Sequence, residues 1–327
     1  MSTDARPHPN PPWDVYTDRA ALYAQFRLEY APELVAEVAK ITGLKPHHAV
    51  ADMGSGTGKL AKHFLDRAAR VYCVEPNQAM LAEARARLGV HPAFTAVPAR
   101  AEASGLPDGS VHLITAGMSL DWFEPEAALV EFRRIACQQS SCSRDSTDAS
   151  TDTGDCSRKD RSHNYTGIAG GSRTGVAAGS QTGLPAGGCT SLPASSCTGL
   201  TGDSCTGLQI GWLAIFRYHI DRSFYQQLSS YLSSIPMPSK ITRPGINDPS
   251  AYLAPGYLTL EYQCTCEETW EQFIGGALSM ASAPSVGSPE YDAFCSAHRR
   301  AFLDLSIDGR ICFEYTCTAA VGHLRQS

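Results

Sequence analysis

Asp52-Met53-Gly54-Ser55-Gly56-Thr57-Gly58 follows the apolar run Ala49-Val50-Ala51 and precedes a segment with Leu60, Ala61, Phe64 and Leu65 on one helical face. A buried strand that runs into a glycine-rich turn and then a helix is the opening unit of an open α/β sheet. Glycine lets the chain turn tightly and lets its backbone approach a ligand with no Cβ in between. The N–H groups at the start of the following helix are expected to face that ligand. The spacing is G-x-G-x-G, and Lys59 does not complete the G-x-G-x-x-G of a dinucleotide site.

Downstream, Val71-Tyr72-Cys73-Val74 reads as the next strand and ends on Glu75, 23 residues after Asp52. A carboxylate there is placed to take both ribose hydroxyls of an adenosine; it is equally a favourable charge at a helix start, and the two readings are compatible. Asn77 is a candidate cap for a helix carrying Met80, Leu81, Ala84 and Leu88. Ala93 to Val97 and Val111 to Ala116 are further strands, and Pro125 to Ile135 a further helix. Between them Ala101-Glu102-Ala103-Ser104-Gly105-Leu106-Pro107 would set backbone and Glu102 near an adenine edge. Upstream, Pro32 to Ile41 is a helix with Leu34, Val35, Val38 and Ile41 at helical spacing and Gly43 as its stop. The order β-α-β-α-β-β-α predicts an α/β fold with a doubly wound, mostly parallel sheet and helices on both faces.

The pattern stops after Arg133-Arg134-Ile135 and resumes at Gly211-Trp212-Leu213-Ala214-Ile215-Phe216. Between them, residues 138–208 are rich in glycine, serine, threonine and cysteine and poor in large apolar side chains. Such a stretch buries too little apolar surface to offset chain entropy, so it reads as a disordered low-complexity insert. The chain then divides into an N-terminal tail (1–20), the first part of one catalytic domain (21–137), the insert (138–208) and the second part with substrate-side elements (209–327). Helices Phe224–Leu232, Glu268–Leu278 and Tyr291–Leu305 and strands Leu258–Tyr262 and Ile311–Thr316 complete a sheet of seven strands. In 327 residues the formal net charge is −6, which gives no basic footprint for nucleic acid. No apolar run is long enough to span a bilayer, and the proline-rich start lacks the pattern of a secretory signal, so a cytoplasmic location is expected. Of twelve cysteines, six lie in or beside the insert; Cys264 and Cys266 form only a C-x-C pair, so no metal site is expected.

Together, DMGSGTGKLAKHF, VYCVEPNQAML, ARAEASGLPDGSVHLITAG and SLDWFEPEAALVEFRRI resemble the type 11 class I methyltransferases that use S-adenosylmethionine, and the resemblance resumes at GWLAIFRY. The Y-x-x-x-R-x-x-Y segment Tyr23 to Tyr30 is similar to the subgroup around trans-aconitate methyltransferase, and TWEQFIGGALSMASA, more loosely, to its substrate-side helix. The resemblance implies a Rossmann-like sheet of seven strands. It puts Gly54, Ser55, Gly56 and Gly58 around the methionine part of S-adenosylmethionine, with Asp52 near its amino group. Glu75 would hold the ribose, Met80 pack by the adenine, and Ala101 and Glu102 border it, while Ala116 and Gly117 would flank the sulfonium. Tyr23 and Arg27 are cofactor-side candidates, one helical turn placing both on one face with Tyr30. His112 and Asp121 depart from the family pattern and are the candidate catalytic groups; for His112 a satisfied core histidine is the competing reading. The expected reaction is methyl transfer to a small-molecule acceptor: a carboxylate, a hydroxyl or an acidic carbon. The alternative is a cofactor-binding module that transfers nothing and acts through its insert.

Overall fold

The computed structural model describes residues 11–139, 209–235 and 245–326. Among these, seven strands form one sheet: β1 (Ala49–Met53), β2 (Arg70–Val74), β3 (Phe94–Val97), β4 (Leu113–Gly117), β5 (Trp212–Ile220), β6 (Leu258–Glu268) and β7 (Ile311–His323), in the order β3-β2-β1-β4-β5-β7-β6. The first five run parallel, and β7 is antiparallel to both neighbours. The sheet is therefore mixed, with the parallel half carrying the glycine turn as expected.

Parallel strands covered on both faces need continuous apolar runs. β1 and β4 supply them, with Val50, Ala51, Met53, Leu113 and Ile114 all at or near zero exposure. One face packs beneath α2 (Pro32–Ile41), through Leu34, Val35 and Val38. The other lies under α4 (Pro125–Ile135), through Ala128, Leu129, Phe132 and Ile135. α1 (Ala20–Phe26) and α3 (Gln78–Leu88) complete the first half; α5 (Arg222–Leu232), α6 (Trp270–Leu278) and α7 (Tyr291–Leu305) the second.

Several expectations change. The segment after the glycine turn is only a 3-10 helix, Ala61–Phe64, followed by turns. β6 and β7 run six and seven residues beyond the expected strand ends: β6 continues through Gln263 and Glu267 exposed on one face, whereas the end of β7, Cys317 to Gly322, is mostly buried between its two neighbours. Gln138–Gln139 pairs antiparallel with Gln209–Ile210, so both ends of the inserted segment are β-ladder, and the expected disorder concerns residues 140–208, outside the described residues. Pro12–Arg19 is a 3-10 helix packed on the domain, not part of a tail.

Candidate functional site

The carboxyl ends of β1, β2 and β4 open on a cleft enclosing about 640 Å³, where an open parallel sheet places its ligands. Its floor is the glycine turn. The N–H groups of Gly54 and Ser55 donate to the Val74 carbonyl at 2.9 and 3.1 Å, which ties the turn to the end of β2. Gly54 and Gly56 sit at φ of +66° and +55°, in the left-handed region that side chains disfavour. Space is short as well: a Cβ on Gly54 would stand 2.7 Å from Ser119 Cβ, and one on Gly56 3.2 Å from Met80 Cε. On the facing wall Ser119 Oγ donates to the Met53 carbonyl at 2.8 Å, closing β4 against β1.

Two buried carboxyl groups face this floor. Glu75 accepts from the N–H of Gly56 (2.9 Å) and of Asn77 (2.8 Å), so it ties the glycine turn to the cap of α3. Asp52 Oδ1 accepts from Thr115 Oγ1 at 2.8 Å, while Oδ2 is buried without a hydrogen-bond partner among the described residues. Burial pushes both up to about 7, against the stabilising hydrogen bonds from Thr115 to Asp52 and from Asn77 and Gly56 to Glu75.

Around them stand Met80, Ala101 and Glu102. Glu102 is clamped: it takes Arg100 Nε at 3.1 Å and the Glu124 N–H at 2.9 Å. Buried Glu131 pins the same loop through the Ser104 N–H at 2.8 Å.

Trp13 and Tyr16 of Pro12–Arg19 also line the cleft, and their role was missed because they fall in what read as a tail. Asn77 explains their position. Its Oδ1 caps α3 at Ala79 and Met80, and its Nδ2 donates to the Trp13 carbonyl and Thr17 Oγ1, both at 3.0 Å. Met118, at φ +55°, is a second omission; a non-glycine residue in that region stores strain beside the site, and no sequence signal marks it.

A smaller pocket of about 350 Å³ continues the cleft toward Asp52, Ser55, Lys59 and Gly117 and shares Tyr23, Gly54 and Gly56 with it. Tyr30 and Tyr218 form part of its wall. Tyr30 Oη lies where a Gly117 Cβ would come within 2.6 Å of it. Burial pushes the pKa of Tyr23, Tyr30 and Tyr218 up, so all three are neutral hydroxyls near pH 7. Tyr23, Arg27 and Tyr30 do converge, but not by a helical turn. α1 ends at Phe26 and Arg27 is extended (φ −68°, ψ 146°), with its guanidinium 5.1 Å from the Tyr23 ring centroid. Glu29 anchors this stretch through ion pairs of 2.7 Å to Lys59 and Lys62.

Four expected site residues stand elsewhere. Gly58 packs against Leu88, where a Cβ would approach Leu88 Cδ1 to 2.5 Å, and Ala116 is fully buried in the core under α4. Arg27 lines neither the cleft nor the smaller pocket but a separate apolar cavity. His112 lies at the amino end of β4, the edge away from the cleft; its Nδ1 accepts from the Ala49 N–H at 3.2 Å and its ring stacks on His48 at 3.9 Å. The ring is half-buried and hydrogen-bonded, away from the cleft. Asp121 is beside the cleft in the 3-10 turn Leu120–Trp122, whose Trp122 and following Phe123 line it.

Residues 51–142 match the family model described as a methyltransferase domain, whose cofactor is S-adenosylmethionine. An uncharacterised methyltransferase of Mycobacterium bovis is 31% identical over 113 residues, which are 35% of this chain and 44% of that protein. A ubiquinone/menaquinone biosynthesis C-methyltransferase of Cupriavidus taiwanensis is 37% identical over 98 residues, 28% of this chain and 40% of that protein. The chain thus spans less than half the length of these curated relatives. Among solved structures, a proposed type II methyltransferase of Anaeromyxobacter dehalogenans is 16% identical with a TM-score of 0.47, covering 91% of this chain and 98% of its own. A phosphoethanolamine N-methyltransferase of Haemonchus contortus in complex with S-adenosyl-L-methionine is 11% identical with a TM-score of 0.41, covering 95% and 57%.

Proposed function

We propose that this chain is a methyltransferase that passes the methyl group of S-adenosylmethionine to an anionic small-molecule acceptor. The observation that carries the reading is the pairing of Glu75 and Asp52 over the Gly54–Gly56 floor. Glu75 would take the ribose hydroxyls, and the unsatisfied Asp52 Oδ2 would meet the ammonium group. Met80 and Ala101 would flank the adenine, and Gly117 would leave room beside the reacting carbon. When bound, the cofactor supplies an already activated methyl group.

What remains for the protein is to hold the acceptor in line and keep water out. Trp13, Tyr16 and Trp122 form an aromatic rim over the cleft, Tyr16 packing edge-on against Trp122 at 5.6 Å. Neutral Tyr23, Tyr30 and Tyr218 can donate hydrogen bonds but do not serve as bases, and His112 is remote. An acceptor that is already an anion needs no base. This agrees with the carboxylate reading of the acceptor and with the likeness to the trans-aconitate subgroup. Asp121 remains the candidate base should the acceptor carry a proton.

Titration calorimetry tests the cofactor half directly. S-adenosylmethionine is expected to bind in the micromolar range, about −8 kcal/mol. Glu75→Ala should weaken it by at least ~1 kcal/mol, since hydrogen bonds to a charged group contribute about 1.5–3. Binding of NADH with no response to S-adenosylmethionine would overturn the proposal.

A further inference from the structure

A third cavity, of about 510 Å³, lies among Arg27, Leu28, β5, the ends of β6 and β7, α5, α6 and α7, and no part of it is needed for the cofactor. Its walls are apolar, with Phe26, Ile220, Phe224, Phe273, Met280 and Phe313 among them. Apolar walls with a single convergent charged group are the pattern of a site for an organic molecule. Leu28 and Tyr218 line both this cavity and the methionine-side pocket, so the two share a wall. We propose that this cavity takes the apolar tail of an amphiphilic carboxylic acid whose head is held by Arg27; as an acceptor site this rests on the methyltransferase reading, as a binding site it stands alone.

Arg27 fixes the head group. Its guanidinium keeps its charge at any working pH, yet its Nε is buried without a hydrogen-bond partner, and among the described residues no carboxylate lies within ion-pair distance of it. Tyr23 gives a cation–π contact at 5.1 Å and a side-chain hydrogen bond, neither of which neutralises the guanidinium. A largely buried cation in this position is completed by an anion, and its fork matches a carboxylate bidentately. Three other ionisable groups line it, and of these Tyr218 is a neutral hydroxyl near pH 7. Burial raises Glu268 to about 7, and its contact is with Cys266 Sγ at 3.6 Å. Burial lowers His298, whose Nδ1 lies 2.9 Å from the Phe294 carbonyl, so its ring is neutral near pH 7. With Glu268 protonated, below about pH 7, the cavity presents one positive charge at the end of an apolar chamber.

The test is calorimetry on the full chain with decanoate and 4-phenylbutanoate, for aliphatic and aromatic tails, and with acetate and decylammonium as controls. At least one long acid should bind ten-fold or more tightly than acetate and than decylammonium. Ala277→Trp fills the chamber from α6 and should weaken that acid at least ten-fold, with S-adenosylmethionine affinity changed less than two-fold. Arg27→Gln, with unchanged melting temperature, should do the same and serves if the tryptophan variant fails to fold. Equal affinity of the acid for wild type and Arg27→Gln, or no binding of either acid to a wild type that binds S-adenosylmethionine, overturns the inference alone. Acid binding by a chain that ignores S-adenosylmethionine leaves the cavity assignment standing and removes the methyltransferase reading.

Discussion

Asp52 and Glu75 show how much one buried side chain decides. Each carboxyl is raised to about 7 by burial, so the folded chain keeps protons that the unfolded chain has released. Between the ordinary carboxylate range and about pH 7, the unfolded state binds fewer protons than the folded one. The ligand-free protein therefore loses stability as pH rises through that window, by about 1.4 kcal/mol per pH unit for each group. A cationic cofactor acts the other way, because it favours the ionised carboxylates. Its affinity should climb from pH 5.5 to about 7 and then level off, with net proton release when titrated at pH 6 in buffers of different ionisation heat. Glu75→Gln should flatten part of that climb. A constant affinity from pH 5.5 to 8 would mean that neither carboxyl meets the positive ligand. The positions of both residues were legible in the sequence, since the strand ends beside a glycine turn are marked by the apolar runs before them. For His112 strand polarity argues against a base: it directly precedes β4, whereas ligands gather where the parallel strands end.

Elements were read best where their signals are local. α2, α4 and α7 lie within the expected residues because proline starts α2 and α4 and the apolar spacing runs unbroken in all three. The convergence of Tyr23 with Arg27 was found for the wrong reason, since α1 stops at Phe26 and an extended Arg27 folds back instead. The Pro12–Arg19 helix was missed because nothing local announces it; Asn77, sixty residues away, holds it down. This gives a test of two roles in one side chain. Asn77→Ala removes the cap and should cost about 1 kcal/mol of stability in denaturant unfolding. Asn77→Asp keeps an acceptor for the Ala79 and Met80 N–H groups but loses both Nδ2 bonds. It should melt close to wild type while the Trp13 segment becomes more open to proteolysis. Equal protease resistance in Asn77→Asp would show that the segment is held by its other contacts.

At the scale of the whole molecule, the seven-stranded sheet is continuous in space across a long gap in sequence. α4 leads through Ala136 and Cys137 to the Gln138–Gln139 rung, and Gln209–Ile210 leads directly into β5. β5 then pairs with β4 in parallel register, Leu113 with Trp212 through Gly117 with Phe216, as if helix and strand were consecutive. Because Gln138 pairs with Ile210 and Gln139 with Gln209, the described residues that flank 140–208 lie side by side, one strand spacing apart. A short connection spans that distance, and closure entropy grows only with the logarithm of loop length. Replacing residues 140–208 by four glycines should therefore leave a soluble, folded protein, more stable by up to about 2.5 kcal/mol from the shorter loop. The checks are denaturant unfolding and cofactor titration, with S-adenosylmethionine affinity expected within two-fold of the full chain. If the shortened chain folds but no longer binds, residues 140–208 contribute to the site; if it does not fold, they belong to the core, and the division of the chain at the Gln138–Gln139 ladder is wrong.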